Sequence, residues 1–130
     1  NITTFLGFEN SYHKSKAVVF GAPFDNTTSF KSGARFAPQD MREDSWALET
    51  YSPYLNKDLN DIKLFDGGDL ELPFGNTKKS LKKIKQFTTK ILNDKKLPII
   101  IGGEHLITLG VVKAMIEKYP NLHIIHLDAH

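Results

Sequence analysis

The 130-residue sequence contains no cysteine. That absence excludes a disulfide framework, a thiolate nucleophile, a Cys-based zinc finger and an iron–sulfur cluster, so any metal must be held by His, Asp or Glu. No apolar run reaches the roughly eighteen residues that a bilayer-spanning helix needs. The start, Asn1-Ile2-Thr3-Thr4-Phe5-Leu6, lacks the basic residues and long apolar core of a secretory leader. A cytoplasmic setting with no membrane partner is the default expectation. Arginine is scarce, at Arg35 and Arg42 only, and the net charge is a small +2. Eight lysines nevertheless fall between Lys78 and Lys96. They interleave with Leu81, Ile84, Phe87 and Ile91 at helical spacing, the pattern of a solvated amphipathic helix, and no aromatic side chains other than Phe87 of that apolar stripe lie among them to stack bases. Nucleic acid is therefore not an expected partner.

What remains is ordinary globular material: 40% hydrophobic and 25% charged residues, enough for one domain with a core. Short apolar runs end repeatedly in turn residues. Ala17-Val18-Val19-Phe20 precedes Gly21-Ala22-Pro23, and Ile62-Lys63-Leu64-Phe65 precedes Asp66-Gly67-Gly68-Asp69. Pro98-Ile99-Ile100-Ile101 precedes Gly102-Gly103-Glu104-His105, and Leu122 to Leu127 precedes Asp128-Ala129-His130. Each run predicts a strand. Helices are expected between most of them, from about Lys78 to Asn93 with a cap at Asn76 or Thr77, and from His105 to Tyr119. Around Pro38 a loop enters a further helix. Alternating strands and helices predict a mainly parallel sheet covered on both faces, a three-layer α-β-α fold. No repeat or linker divides the chain, so residues 1–130 read as one portion of a single domain.

Two strand ends carry metal-ligating chemistry. Side chains of a strand alternate between faces, so His126, Asp128 and His130 share one face. His105 stands at the carboxyl end of another run, where ligands collect in open parallel sheets. His105, Asp128 and His130 are the candidate metal ligands. His123 and His126 read as structural, His126 as a satisfied imidazole deeper in its strand. Glu104 reads as an orienter beside a ligand. Asp66 and Asp69 read as turn or cavity-rim residues around a tight Gly67-Gly68 turn, and Arg35 and Arg42 as ion-pair anchors of the N-terminal loop. Gly102-Gly103 between strand and helix is the composition of a phosphate cradle, but neither common phosphate-loop pattern is present.

Taken in order, these segments resemble the ureohydrolase (arginase–agmatinase) family, most closely its agmatinase branch, from about Gly21 onward. Gly102-Gly103-Glu104-His105 resembles the first metal motif and Asp128-Ala129-His130 the opening of the second. Ser29 to Pro38, followed by Arg42, Glu43 and Ser45, resembles the agmatinase N-terminal pattern. Ala37 departs from a usual Gly, and Leu106 from a small hydroxyl residue. The resemblance implies an arginase-like fold and two Mn2+ ions, with His105 on one, His130 on the other and Asp128 bridging. It places the remaining ligands, the substrate-binding acid and the proton-handling His beyond residue 130. The chain is thus read as the N-terminal half of an enzyme and, alone, as inactive.

The implied activity is hydrolysis of agmatine to putrescine and urea, a step of polyamine formation, by a hydroxide that bridges two ions about 3.5–4 Å apart. Arginase, guanidinobutyrase and formiminoglutamase are alternatives with the same site. A non-catalytic homologue or ligand-binding fragment is a more distant one. The expected partners are a small guanidino substrate and further copies of the chain, as a trimer or hexamer.

Overall fold

A computed structural model describes residues 3–129; Asn1, Ile2 and His130 lie outside the described residues. Strand β1 (Ala17–Ala22) is buried along its whole length, which is why its sequence is continuously apolar rather than alternating. It is flanked in parallel by β4 (Leu64–Asp69) and β5 (Leu97–Gly102), giving the order β4-β1-β5. A two-stranded antiparallel ribbon, β2 (Tyr51–Ser52) and β3 (Lys57–Asp58), lies apart from this sheet and was not expected from the sequence.

Helices cover both faces, as the three-layer α-β-α reading required. On one face, Val18 and Phe20 pack with Ile91 and Phe87 of α2 (Thr77–Asn93). Ala22 and Phe24 join Ile84 and Ile107, bringing in α3 (Ile107–Lys118). Ile84 and Ile91 are fully buried, and truncating either to Ala would cost about 2–5 kcal/mol. The predicted cap is in place: the Asn76 side-chain oxygen accepts the Lys79 N–H at 3.0 Å. On the other face lie α1 (Ala37–Ser45), with Pro38 in its first turn, and the N-terminal segment, whose Phe8 is buried against Ala17 and Leu64.

Three expectations need correction. Asp66, Gly67, Gly68 and Asp69 do not form a turn; they continue β4. Val19 pairs with Asp66 and Gly21 with Asp69, so one residue of β1 faces two of β4, and Gly68 takes up the extra residue at φ +71°. A glycine pair was read as a chain reversal where it permits a bulge. Helix α3 begins at Ile107, because Glu104 and His105 accept i+3 bonds from Ile107 and Thr108 in a preceding turn. Finally, residues 122–129 form no strand. Their apolar pattern suits one, but a ladder needs a neighbour, and no described strand pairs with them; Ile125 and Leu127 are 90% and 92% exposed. Among the described residues no helix is long and apolar enough to cross a membrane.

Candidate metal centre

Strands β1 and β5 stay in register to their carboxyl ends, where Ala22 lies opposite Gly102. The loops that follow are stitched together. Glu104 N–H donates to the Phe24 carbonyl at 2.8 Å. Gly103 sits so close to the β1 loop that an added Cβ would lie 2.6 Å from the Ala22 carbonyl oxygen. The Glu104 carboxylate accepts the Thr27 N–H at 3.2 Å and also the Thr27 hydroxyl. Glu104 therefore braces the turn that carries His105, and Thr27 is a partner that no sequence pattern signalled.

Asp25, one turn earlier, is buried and does not belong to the metal cluster. It accepts the Gly33 N–H at 2.8 Å and an Arg35 guanidinium N–H at 3.2 Å. Burial pushes its carboxyl up, but these donors outweigh burial and hold it below the usual carboxylate range. The Arg35 guanidinium also lies over the rings of Phe36 and Phe74, at 4.8 and 5.3 Å. Arg35 thus shapes the loop from Asp25 to Phe36, as expected of an anchor.

Arg42 does the same on the far side of the sheet. Its Nε and Nη2 donate to the two oxygens of Asp66 at 2.8 and 3.1 Å, and its Nη1 donates to Asp69 at 2.5 Å. Asp66 accepts further N–H bonds from Phe5 and Gly68, each 2.8 Å. Burial raises the Asp66 carboxyl, while Arg42 and the two backbone donors together lower it below its ordinary value. Asp66 is a strand residue whose side chain is buried in an ion-pair network, which corrects its reading as a turn residue; it does line a cavity with Phe8, Glu43 and Trp46.

The exposed segment after α3 returns to His105. The His105 and His126 rings lie 4.9 Å apart, edge to face at 68°. His126 Nε2 is 3.7 Å from Asp128 Oδ2. One ligand atom from each of His105, His126 and Asp128 falls within 4.8 Å of the others. His126 was expected to be a buried structural imidazole; its side chain is 58% exposed and faces the cluster, because the segment carrying it is not packed into the sheet. His130 lies outside the described residues, and His123 is exposed. Neighbouring donors of one ion, each bonded at about 2.1 Å, lie about 3.0–3.5 Å apart, so these atoms need to draw in by up to about 1.5 Å. Imidazole with carboxylate suits Mn, Fe, Co, Ni or Zn as divalent ions. A cleft of about 790 Å³ opens beside His105, walled by residues 27–31 and by the start of α3.

The Arginase family model matches residues 15–130. The chain belongs to the arginase family. Among relatives of that family, an agmatinase from Halalkalibacterium halodurans is 49% identical over 126 residues, covering 97% of this chain and 44% of the relative. An agmatinase from Bacillus subtilis is 47% identical over the same length, covering 97% and 43%. A guanidino acid hydrolase from Homo sapiens is 33% identical over 115 residues, covering 88% and 33%. The agmatine ureohydrolase of Thermoplasma volcanium superposes with a TM-score of 0.82 at 34% identity, covering 88% of this chain and 39% of that one. The proclavaminate amidino hydrolase of Streptomyces clavuligerus gives 0.90 at 28% identity, covering 100% and 44%. The chain spans less than half the length of these relatives.

Proposed function

We propose that the protein is a metal-dependent ureohydrolase that cleaves agmatine to putrescine and urea. The observation that carries this reading is the approach of His105 and Asp128 beside a cleft at the carboxyl ends of the sheet. The agmatinase relatives at 47–49% identity support the substrate. Residues 1–130 are, on this reading, the N-terminal portion of one α/β domain, with further ligands supplied by the rest of the protein. In the proposed site His105, Asp128 and His130 would hold two Mn2+ ions. When bound, such ions supply Lewis acidity and ionise water near neutral pH.

The chain's own groups have separate tasks. His105 and Asp128 contribute the donor atoms. Glu104 keeps the His105 turn against the β1 loop through Thr27. The cleft, with Phe30, Leu106 and Leu109 in its lining, takes the substrate's aliphatic chain. In the reaction water adds to the guanidinium carbon, the bond from that carbon to the alkyl-bearing nitrogen breaks, and the nitrogen leaves as the amine after taking up a proton. The trimeric or hexameric assembly belongs to the same reading and is tested by light scattering.

A second reading has one specific observation in its favour. Lys31 lines the cleft, and an ammonium there suits a substrate whose tail ends in a carboxylate, as in 4-guanidinobutanoate, better than the cationic tail of agmatine. Urea release from agmatine, arginine and 4-guanidinobutanoate by the Mn2+-loaded full-length protein decides the matter. We expect the highest kcat/KM for agmatine. A tenfold advantage for another compound, about 1.4 kcal/mol of transition-state binding, would overturn the agmatine assignment.

A further inference from the structure

We propose that Asp25 is a positioning residue for the substrate's tail. Its carboxylate fixes the loop of residues 26–32, which walls the cleft beside His105, while Asp25 itself neither lines the cleft nor joins the metal cluster. The inference rests on the ureohydrolase reading above and assigns a role that this reading leaves open. The loop has no helix or strand of its own, so its shape depends on what its ends are tied to. The near end is held at Thr27, which donates to Glu104. The far end is held by Asp25: Oδ2 accepts the Gly33 N–H at 2.8 Å and Oδ1 accepts an Arg35 N–H at 3.2 Å. The Asp25 backbone carbonyl also accepts the Thr28 hydroxyl at 3.2 Å. One residue thus closes the loop on itself, with Ser29, Phe30 and Lys31 spanning the gap between the ties. Gly33 presents its N–H from a φ of +141°, a conformation that L side chains rarely adopt. The Asp25 side chain is 2% exposed, so water does not compete for these bonds.

This arrangement separates two tasks. The turn that carries His105 is braced at the near end of the loop, through Glu104, whereas Asp25 governs the far end, where Phe30 and Lys31 line the cleft. The reaction takes place at the guanidinium carbon, so the methylene tail makes the same contacts before and during it. A wall that contacts only the tail contributes equally to ground state and transition state, and its displacement should raise KM while leaving kcat in place.

The test uses the Mn2+-loaded full-length protein with Asp25→Asn and, separately, Arg35→Met. Asparagine keeps the shape of Asp25 but turns an amide NH2 toward one of the two donors that the carboxylate accepts. Methionine keeps an apolar chain against Phe36 and Phe74 and removes the donor. Arg35 is 32% exposed, so its replacement tests the proposal even where Asp25→Asn does not fold. We expect KM for agmatine to rise about tenfold in either variant, with kcat within about twofold of the parent. Competitive inhibitors separate the tail from the metal: butylguanidine should bind about tenfold more weakly to the variants, and methylguanidine, which has no tail to place, equally well. Arg35→Lys, which keeps a cation beside Asp25, should restore part of the KM. A KM for agmatine within about twofold of the parent in both variants overturns the proposal. So does a parallel loss of affinity for both inhibitors and for Mn2+, which is what general loosening of the site produces. If the parent releases urea and the variants bind as it does, this inference alone fails. If the parent releases urea from no guanidino compound, the ureohydrolase reading fails and this inference with it.

Discussion

Replacing Arg42 with alanine should destabilise the protein far more than a surface change. The guanidinium donates at 2.8 and 3.1 Å to Asp66 and at 2.5 Å to Asp69, and the Arg42 and Asp66 side chains are 3% and 2% exposed. Removing the cation leaves the Asp66 carboxylate buried with only the Phe5 and Gly68 N–H groups. Breaking one side of such a buried pair costs about 3–5 kcal/mol. With a urea slope of about 2 kcal/mol per molar, the midpoint should fall by about 1.5–2.5 M. The sign of the pH dependence provides an internal check. The folded Asp66 carboxyl titrates below its unfolded value, so its contribution is present at neutral pH and is lost as pH falls through the folded value, below about pH 4. The gap between parent and variant should therefore narrow in acid. The double variant Arg42→Met with Asp66→Leu should recover much of the loss, because no uncompensated charge stays buried. Urea melts of the full-length protein at pH 7 and at pH 3 provide the test. A loss under about 1 kcal/mol at pH 7, or a gap that widens in acid, would refute the reasoning.

Gly103→Ala should cost about 1–3 kcal/mol and lower metal content, since the new Cβ would lie 2.6 Å from the Ala22 carbonyl oxygen and 2.8 Å from the Phe24 nitrogen, both backbone atoms; denaturation and bound-metal analysis check both effects. Thr27→Val should weaken Mn2+ binding by up to about tenfold by releasing the Glu104 brace, and Thr27→Ser should restore it. The Tyr12 phenol, pushed up to about 12 by burial and by its bond to Asp94, should ionise well after an ordinary tyrosine; ultraviolet titration of Tyr12→Phe should lose that late step.

The sheet was readable at its centre because burial of a parallel strand on both faces demands a continuous apolar run, and Ala17 to Phe20 provides one. The α2 helix was readable for a similar reason: its apolar positions repeat at the helical period and Asn76 supplies a local cap. Features that depend on a neighbour were not. Whether Gly67-Gly68 reverses the chain or bulges is decided by the pairing of β4 with β1, which lies outside any local window. Whether residues 122–127 form a strand depends on a ladder partner, and whether His126 is buried follows from that. His105 and Asp128 could be marked as donors from residue type and position at run ends; the Thr27 contact to Glu104 joins residues 77 positions apart and left no local trace.

The central position of β1 has a consequence for how the chain reaches its fold. It precedes both of its ladder partners in the chain, which begin 47 residues later at Leu64 and 80 residues later at Leu97. Every hydrogen bond of the sheet therefore closes a long loop, an entropy cost met before the contacts give any return, so folding should be slow relative to its helices. Until β4 and β5 emerge from the ribosome, Ala17 to Ala22 is an apolar strand with both edges open. A nascent chain of this kind is exposed to misassociation during synthesis, and holdase chaperones that bind extended apolar segments have their natural target in β1.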